Sequence, residues 1–227
     1  MFMNVAHETS RRLMHKIFGL MSVGLTLTGL TAYGLFLNTN LFMTLAGSTM
    51  AMMLLFLAQI GVVIAISGFV TRMSAGTASL CFCLYSILTG ITLSSVLYIY
   101  TAHSVAATFF ICAVTFAVVA LYGYFTDADL TGWGSVATMA LFGLIIATLI
   151  NIFLKSDAFD LVISLIGVGI FTVLTAYDVQ RFKTLGYDVM RAPQDENRLA
   201  VVGALALYLD FINLFIMLLR VVGRKRD

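Results

Sequence analysis

Charge is scarce in this sequence. Its 227 residues carry 13 Lys and Arg against 11 Asp and Glu, a net charge of +2, while 61% of the chain is hydrophobic. That balance excludes a soluble enzyme fold, a nucleic-acid module with a basic face, and a disordered tail. Proline is scarcer still. The one proline, Pro193, lies in a polar segment, so the apolar runs are not broken by proline in the manner of many secondary transporters. The three cysteines, Cys81, Cys83 and Cys112, are odd in number, fall inside apolar runs and lack ligand spacing. They read as small hydrophobes rather than as a disulfide framework or a metal site, and no resident cofactor is expected.

What the chain has in abundance is uncharged length. Between Lys16 and Arg72 lie 55 residues without a formal charge, and between Arg72 and Asp127 another 54. Each stretch accommodates two spans of about 20 residues. Leu130 to Leu154, Leu161 to Tyr177, and Leu199 to Leu219 interrupted only by Asp210, bring the total to seven. Barrel strands would show alternating runs of about ten residues instead. The expectation is therefore an all-α integral membrane protein with spans near 17–37, 46–70, 75–99, 104–125, 132–154, 160–181 and 199–220. Residues 1–16 are expected to form a cytoplasmic tail without a cleaved signal, 17–220 a single transmembrane domain, and 221–227 a short basic tail. The segment from Phe182 to Arg198, with Pro193, Gln194, Asp195, Glu196 and Asn197, reads as the one sizeable polar loop.

A faint internal echo, Ser86-Ile87-Leu88-Thr89-Gly90 against Thr172-Val173-Leu174-Thr175-Ala176, suggests three helices, three helices and a single last one. With the N-terminus inside and seven crossings, internal segments hold eight Lys and Arg against five outside. A last segment that turned back would make the count twelve to one, which the positive-inside rule prefers. The residues alone leave the C-terminal topology open.

Two acidic residues do not belong in lipid. Asp178 ends the sixth span and Asp210 sits near the middle of the seventh. A carboxylate at the bilayer centre costs at least about 2.5–3.5 kcal/mol, so each needs a partner, water or a proton. The two helices are consecutive and antiparallel, and side chains lean toward the N-terminus of their own helix. The carboxyls therefore converge. Along the seventh span Gly203, Ala206, Asp210, Asn213, Met217 and Arg220 form a small and polar stripe, opposite bulky Leu209, Ile212, Phe215, Ile216 and Leu219. Interhelical hydrogen bonding is the structural alternative for Asp210 and Asn213, but an ionisable residue within the membrane is functional by default. For Arg72 a snorkelling anchor stands level with a functional role. Tyr177, Tyr208 and Gln59 read as packing or hydrogen-bonding residues. Asp127, Asp129 and His103 read as solvated loop residues without a role.

Ala204 to Gly223, ALALYLDFINLFIMLLRVVG, closely resembles the last helix of the Bax inhibitor-1 family of transmembrane proteins. Thr175-Ala176-Tyr177-Asp178-Val179-Gln180 is similar to that family's sixth-helix motif, and Leu88-Thr89-Gly90-Ile91-Thr92-Leu93 to its third. The resemblance covers nearly the whole chain and points to the bacterial branch. It implies two groups of three helices around a central C-terminal helix, in a bacterial inner membrane, with the N-terminus inside and the C-terminus outside. It also implies a pH-sensitive calcium leak in which Asp178 and Asp210 share a proton and make transient contact with calcium. Arg72 matches the arginine that latches the pair, and Asn213, Tyr177 and Tyr208 stand as supporting polar residues. One departure is that the second span has Gln59 and no acidic residue.

Two carboxylates about 4 Å apart repel by roughly 4 kcal/mol at an effective dielectric near 20. Such a pair titrates as a unit, and losing the shared proton both separates the helices and presents hard oxygen ligands to a cation. A rival class is an intramembrane aspartyl protease, which also pairs aspartates on adjacent spans. Here Leu207 and Leu209 occupy the places of its Gly-x-Gly pattern, and Pro193 alone cannot supply its proline motif, so no enzyme is expected. A third reading is a regulator that binds a membrane protease or another membrane partner and transports nothing.

Overall fold

The computed structural model describes residues 2–188 and 195–226. The helices are α1 (Phe2–Leu37), α2 (Thr39–Ala46), α3 (Thr49–Phe69) with a 3-10 turn at Val70–Arg72, α4 (Ala75–Ile99), α5 (Ala102–Phe125), α6 (Thr131–Leu154), α7 (Asp157–Asp188) and α8 (Glu196–Val222). All but α2 are long and apolar enough to cross a membrane, as the uncharged runs require. The protein is an all-α membrane protein with seven spans.

Polar side chains punctuate the apolar runs. The side chains of Asn38, Ser48, Ser74 and Thr101 accept backbone N–H bonds from Leu41, Ala51, Thr77 and Ser104, capping α2, α3, α4 and α5. Each cap satisfies an amide that lipid could not.

The chain divides into two compact units. The first comprises Met1–Tyr100, Leu185–Tyr208 and Arg226–Asp227; the second comprises Thr101–Thr184 and Leu209–Lys225. Three spans, α1, α3 and α4, fall in the first and three, α5, α6 and nearly all of α7, in the second, while α8 contributes residues to both. An 18-residue stretch of α8 is 67% buried, against 6–39% in the other six spans, so α8 is the enclosed helix. This is the expected three, three and one.

Small residues let helices within each unit approach closely. In the first, a side chain at Gly90 of α4 would collide with the Thr28 backbone of α1; in the second, one at Gly123 of α5 would collide with the Ala176 backbone of α7. Gly90 and Ala176 are the last residues of the two echoing segments. In both units, therefore, the end of the segment marks the tight helix contact.

Two expectations need correction. Residues assigned to a tail are helical from Phe2 onward, because Ser10, Leu13, Met14 and Ile17 form one buried face at helical spacing. The polar loop from Phe182 to Arg198 is shorter than expected, since α7 runs on to Asp188 and α8 begins at Glu196. Pro193 and Gln194 lie outside the described residues. The course of the last segment, which the residues alone left open, is that of a full span and not of a segment that turns back. In the first unit the start of α8 is tied to Arg12 of α1 through Glu196, whereas Arg226 donates its N–H to Ile99 O at 2.8 Å and lies over the ring of Phe36. Arg12 and Phe36 are about 36 Å apart along α1 at 1.5 Å per residue, so α8 crosses completely.

Candidate functional site

Both intramembrane aspartates belong to the second unit. There α7 and α8 run antiparallel, with Met217 of α8 filling the space beside Gly167 of α7 and Arg220 Nη1 bonded to Asp160 Oδ1 at 3.0 Å. From the Gly167–Met217 contact, Asp178 lies about 16 Å and Asp210 about 10 Å along the respective axes. The lean of each side chain toward its own N-terminus shortens the first distance and lengthens the second, so the carboxyls approach.

The surrounding polar groups do not neutralise this pair. On α7 the hydroxyls of Ser164, Thr172 and Thr175 bond to carbonyls four residues back, a local solution that spends them inside their own helix. Asn213 does the same, donating Nδ2 to Leu209 O at 2.8 Å. Asp210 is 5% exposed and its Oδ2 has no hydrogen-bond partner among the described residues. Asp178 is half-buried and lies within electrostatic range of Asp210 and of Arg181.

Neighbouring contacts hold the Asp178 segment in place. The ring of Tyr177 covers Gly134 of α6. Gln180 donates Nε2 to Ala128 O at 2.7 Å and accepts the N–H of Leu130 at 2.9 Å, clamping the α5–α6 connection. Lys183 donates to Tyr124 O at 2.6 Å at the end of α5. In that connection Asp129 accepts the N–H of Thr131, and the hydroxyl and backbone of Thr131 hold its carboxyl below the ordinary range.

Residues 10–227 match the family model described as Inhibitor of apoptosis-promoting Bax1. The chain belongs to the Bax inhibitor-1 family. It is 45% identical over 216 residues to an uncharacterized protein of Borreliella burgdorferi, covering 95% of this chain and 93% of the relative. It is 42% identical over 214 residues to inner membrane protein YbhL of Escherichia coli strain K12, covering 94% and 92%. The Rickettsia prowazekii protein RP147 is 40% identical over 222 residues, covering 97% and 92%.

In this Bax inhibitor-1 family chain the expected site residues fall into two sets. Asp178, Asp210, Asn213 and Tyr177 share the second unit, whereas Arg72 and Tyr208 belong to the first. Tyr208 is fully buried and its hydroxyl meets that of Thr28, which also reaches Ser86 O at 2.9 Å. Gln59, in the same unit, donates to Leu88 O at 3.2 Å. Arg72 is exposed at the end of the 3-10 turn and makes no ion pair among the described residues. Cys112 is buried with its thiol 3.6 Å from Phe211 O. Among the described residues no three His, Cys, Asp or Glu gather as a metal site. His103 is exposed in the first turn of α5 rather than in a loop.

Two charged features escaped sequence reasoning. Arg181, three residues after Asp178, is a counter-charge at helical neighbour spacing. Glu196 forms a triad with α1: Arg12 donates Nε and Nη2 to its two oxygens at 3.1 and 2.8 Å, and Lys16 Nζ lies 2.9 Å from Oε1. The i to i+3 signal could have revealed the first. The second depends on tertiary contact between segments 180 residues apart and had no local signal.

Proposed function

We propose that this protein is a pH-sensitive calcium leak of a bacterial inner membrane, gated by a proton shared between Asp178 and Asp210. The observation that carries the reading is the buried Asp210 Oδ2 without a hydrogen-bond partner among the described residues, on a helix facing a second carboxylate. A buried polar atom left without a partner is costly. A proton held between the carboxyls relieves that cost in the closed state. Its loss leaves two like charges in range of one another, which separates α7 from α8 and offers oxygen ligands to a passing cation. Two carboxylates alone do not build the six to eight oxygens of a lasting calcium site, which suits transit rather than storage.

Membership of a family that includes a protein named for the inner membrane supports the location. In this reading the N-terminus lies in the cytoplasm and the C-terminus outside, with Arg72 as a latch on the cytoplasmic side. The aspartate pair is assigned to proton sharing and not to peptide hydrolysis.

Calcium flux into proteoliposomes over a pH series tests the reading, comparing the wild type with Asp178→Asn and Asp210→Asn. A flux that rises with pH and is flattened in both variants supports the dyad. A wild-type flux with the same pH dependence as both variants would sink it. The second reading is a regulator that binds a membrane protease or another membrane partner without transport. Absence of flux from correctly folded protein would leave that one standing.

A further inference from the structure

The second unit also holds an apolar groove that the aspartate pair does not use. Its volume is about 430 Å³, and it is lined by Val118 and Tyr122 of α5, Val173 and Ala176 of α7, and Leu130 and Trp133 at the start of α6. At this level Gly123 of α5 packs against Ala176, and Gly134 of α6 against Tyr177, both of α7. The groove opens alongside these two contacts.

Its rim faces outward: Val118, Tyr122 and Trp133 are 61%, 55% and 65% exposed. In a protein with seven membrane spans that exposure is to lipid. Trp133 lies one turn from exposed Asp129, and Tyr122 one turn from the end of α5. The mouth of the groove therefore sits where hydrocarbon gives way to headgroups, the level at which Trp and Tyr concentrate. From Tyr122 to Val118 it runs about 6 Å toward the membrane interior.

We infer that this groove binds one acyl chain of a bilayer phospholipid, with the headgroup at the level of Tyr122 and Trp133. Water is a poor occupant, because an ordered water needs two to four polar partners. The hydroxyl of Thr172, a polar group in the lining, already donates to Val168 O at 2.7 Å. The volume falls within the ~300–1,000 Å³ range that takes small organic ligands. The assignment is independent of the leak reading.

Trp133 is the only tryptophan of the chain, so its fluorescence reports on this groove. A phosphatidylcholine with dibrominated acyl chains is titrated into the full chain in detergent micelles. A saturable quenching phase complete near one lipid per chain is expected. Val173→Phe, which fills the groove from α7, abolishes that phase; Val119→Phe, at a further lining residue on α5, serves should the first variant not fold. Quenching with no saturable phase in the wild type, or an equal saturable phase in a folded filling variant, means that Trp133 merely faces bulk lipid and overturns the assignment. A dimer that a filling variant dissociates, read by light scattering, assigns the groove to a second copy and also overturns it.

Discussion

Asp160 and Arg220 join α7 to α8 in the second unit, Nη1 to Oδ1 at 3.0 Å, about 27 Å along α7 from Asp178. The helices that carry the two aspartates are thus tied at the end remote from Asp178. Both side chains are about a third exposed, at 39% and 33%, so solvent screens the pair and limits its worth to about 1 kcal/mol or less. A double-mutant cycle with Asp160→Asn and Arg220→Gln, read by thermal unfolding in detergent, is expected to give a coupling no larger than that. A coupling above about 2 kcal/mol would mean that the pair is far better shielded than its exposure indicates.

The aspartate pair makes a stability prediction distinct from flux. Like charges at about 4 Å repel by at most roughly 4 kcal/mol at an effective dielectric near 20, and the repulsion exists only when both carboxyls are charged. Wild-type stability should therefore fall as pH rises through the titration of the pair. Asp210→Asn removes one of the two charges, so its stability should not follow that fall. The difference in unfolding temperature between the two proteins should widen toward alkaline pH. A constant difference across the series would show that the carboxyls do not interact.

The seven spans were legible because the lipid requirement is a run of about 20 residues with almost no charge, a signal that needs no tertiary information. Asp178 and Asp210 were legible for the converse reason: the cost of a carboxylate in hydrocarbon makes it conspicuous. The helical extension of α1 was not, because its buried face of Ser10, Leu13, Met14 and Ile17 is interleaved with Arg11, Arg12 and Lys16, which look like a solvated tail until Glu196 is in place. Arg220 stood in the expected polar stripe, yet its partner Asp160 belongs to another helix, and periodicity within one helix cannot name a partner on the next.

Glycines separate contact from mere presence. Gly134 lies under the Tyr177 ring, whereas Gly143, nine residues along the same helix, has nothing within 4 Å of the position a side chain would take. Gly134→Ala should overpack the α6–α7 contact and cost about 1–3 kcal/mol. Gly143→Ala should be neutral or stabilising by up to about 1 kcal/mol through lower backbone entropy. Unfolding temperatures measured side by side in one detergent decide it, and equal shifts would refute the contact.

The Glu196 triad fixes the first turns of α1. Glu196 is 5% exposed, while Arg12 and Lys16 keep access to solvent. Glu196→Ala removes charge-assisted hydrogen bonds worth about 1.5–3 kcal/mol each before screening, so the net loss should fall at the low end of that range. The local consequence is easier to read. Trypsin should cut at Arg11, Arg12 and Lys16 faster in the variant, because those sites are released by local opening of α1. Unchanged cleavage with an unchanged unfolding temperature would make the triad energetically idle.

Arg72 offers the sharpest division between anchor and latch. It is exposed at the end of the α3 span and makes no ion pair among the described residues, which by itself fits a snorkelling side chain whose charge stays at the interface. A latch requires more: its guanidinium must pair with a carboxylate in at least one state of the gate, an interaction that planar donor geometry favours. Arg181 already lies within electrostatic range of Asp178, so Arg72 would be a second cation and its removal should weaken the closed state without abolishing it. Arg72→Ala is therefore expected to raise the basal calcium flux several-fold, on the order of 1 kcal/mol of lost closed-state stability, and to displace the pH midpoint of that flux. Arg72→Lys should recover the charge but not the bidentate geometry, and so restore the flux only in part. The measurement is flux at equal protein density across the same pH series. Should all three proteins leak alike, Arg72 is an interfacial anchor, and the counter-charge of the pair is Arg181 alone.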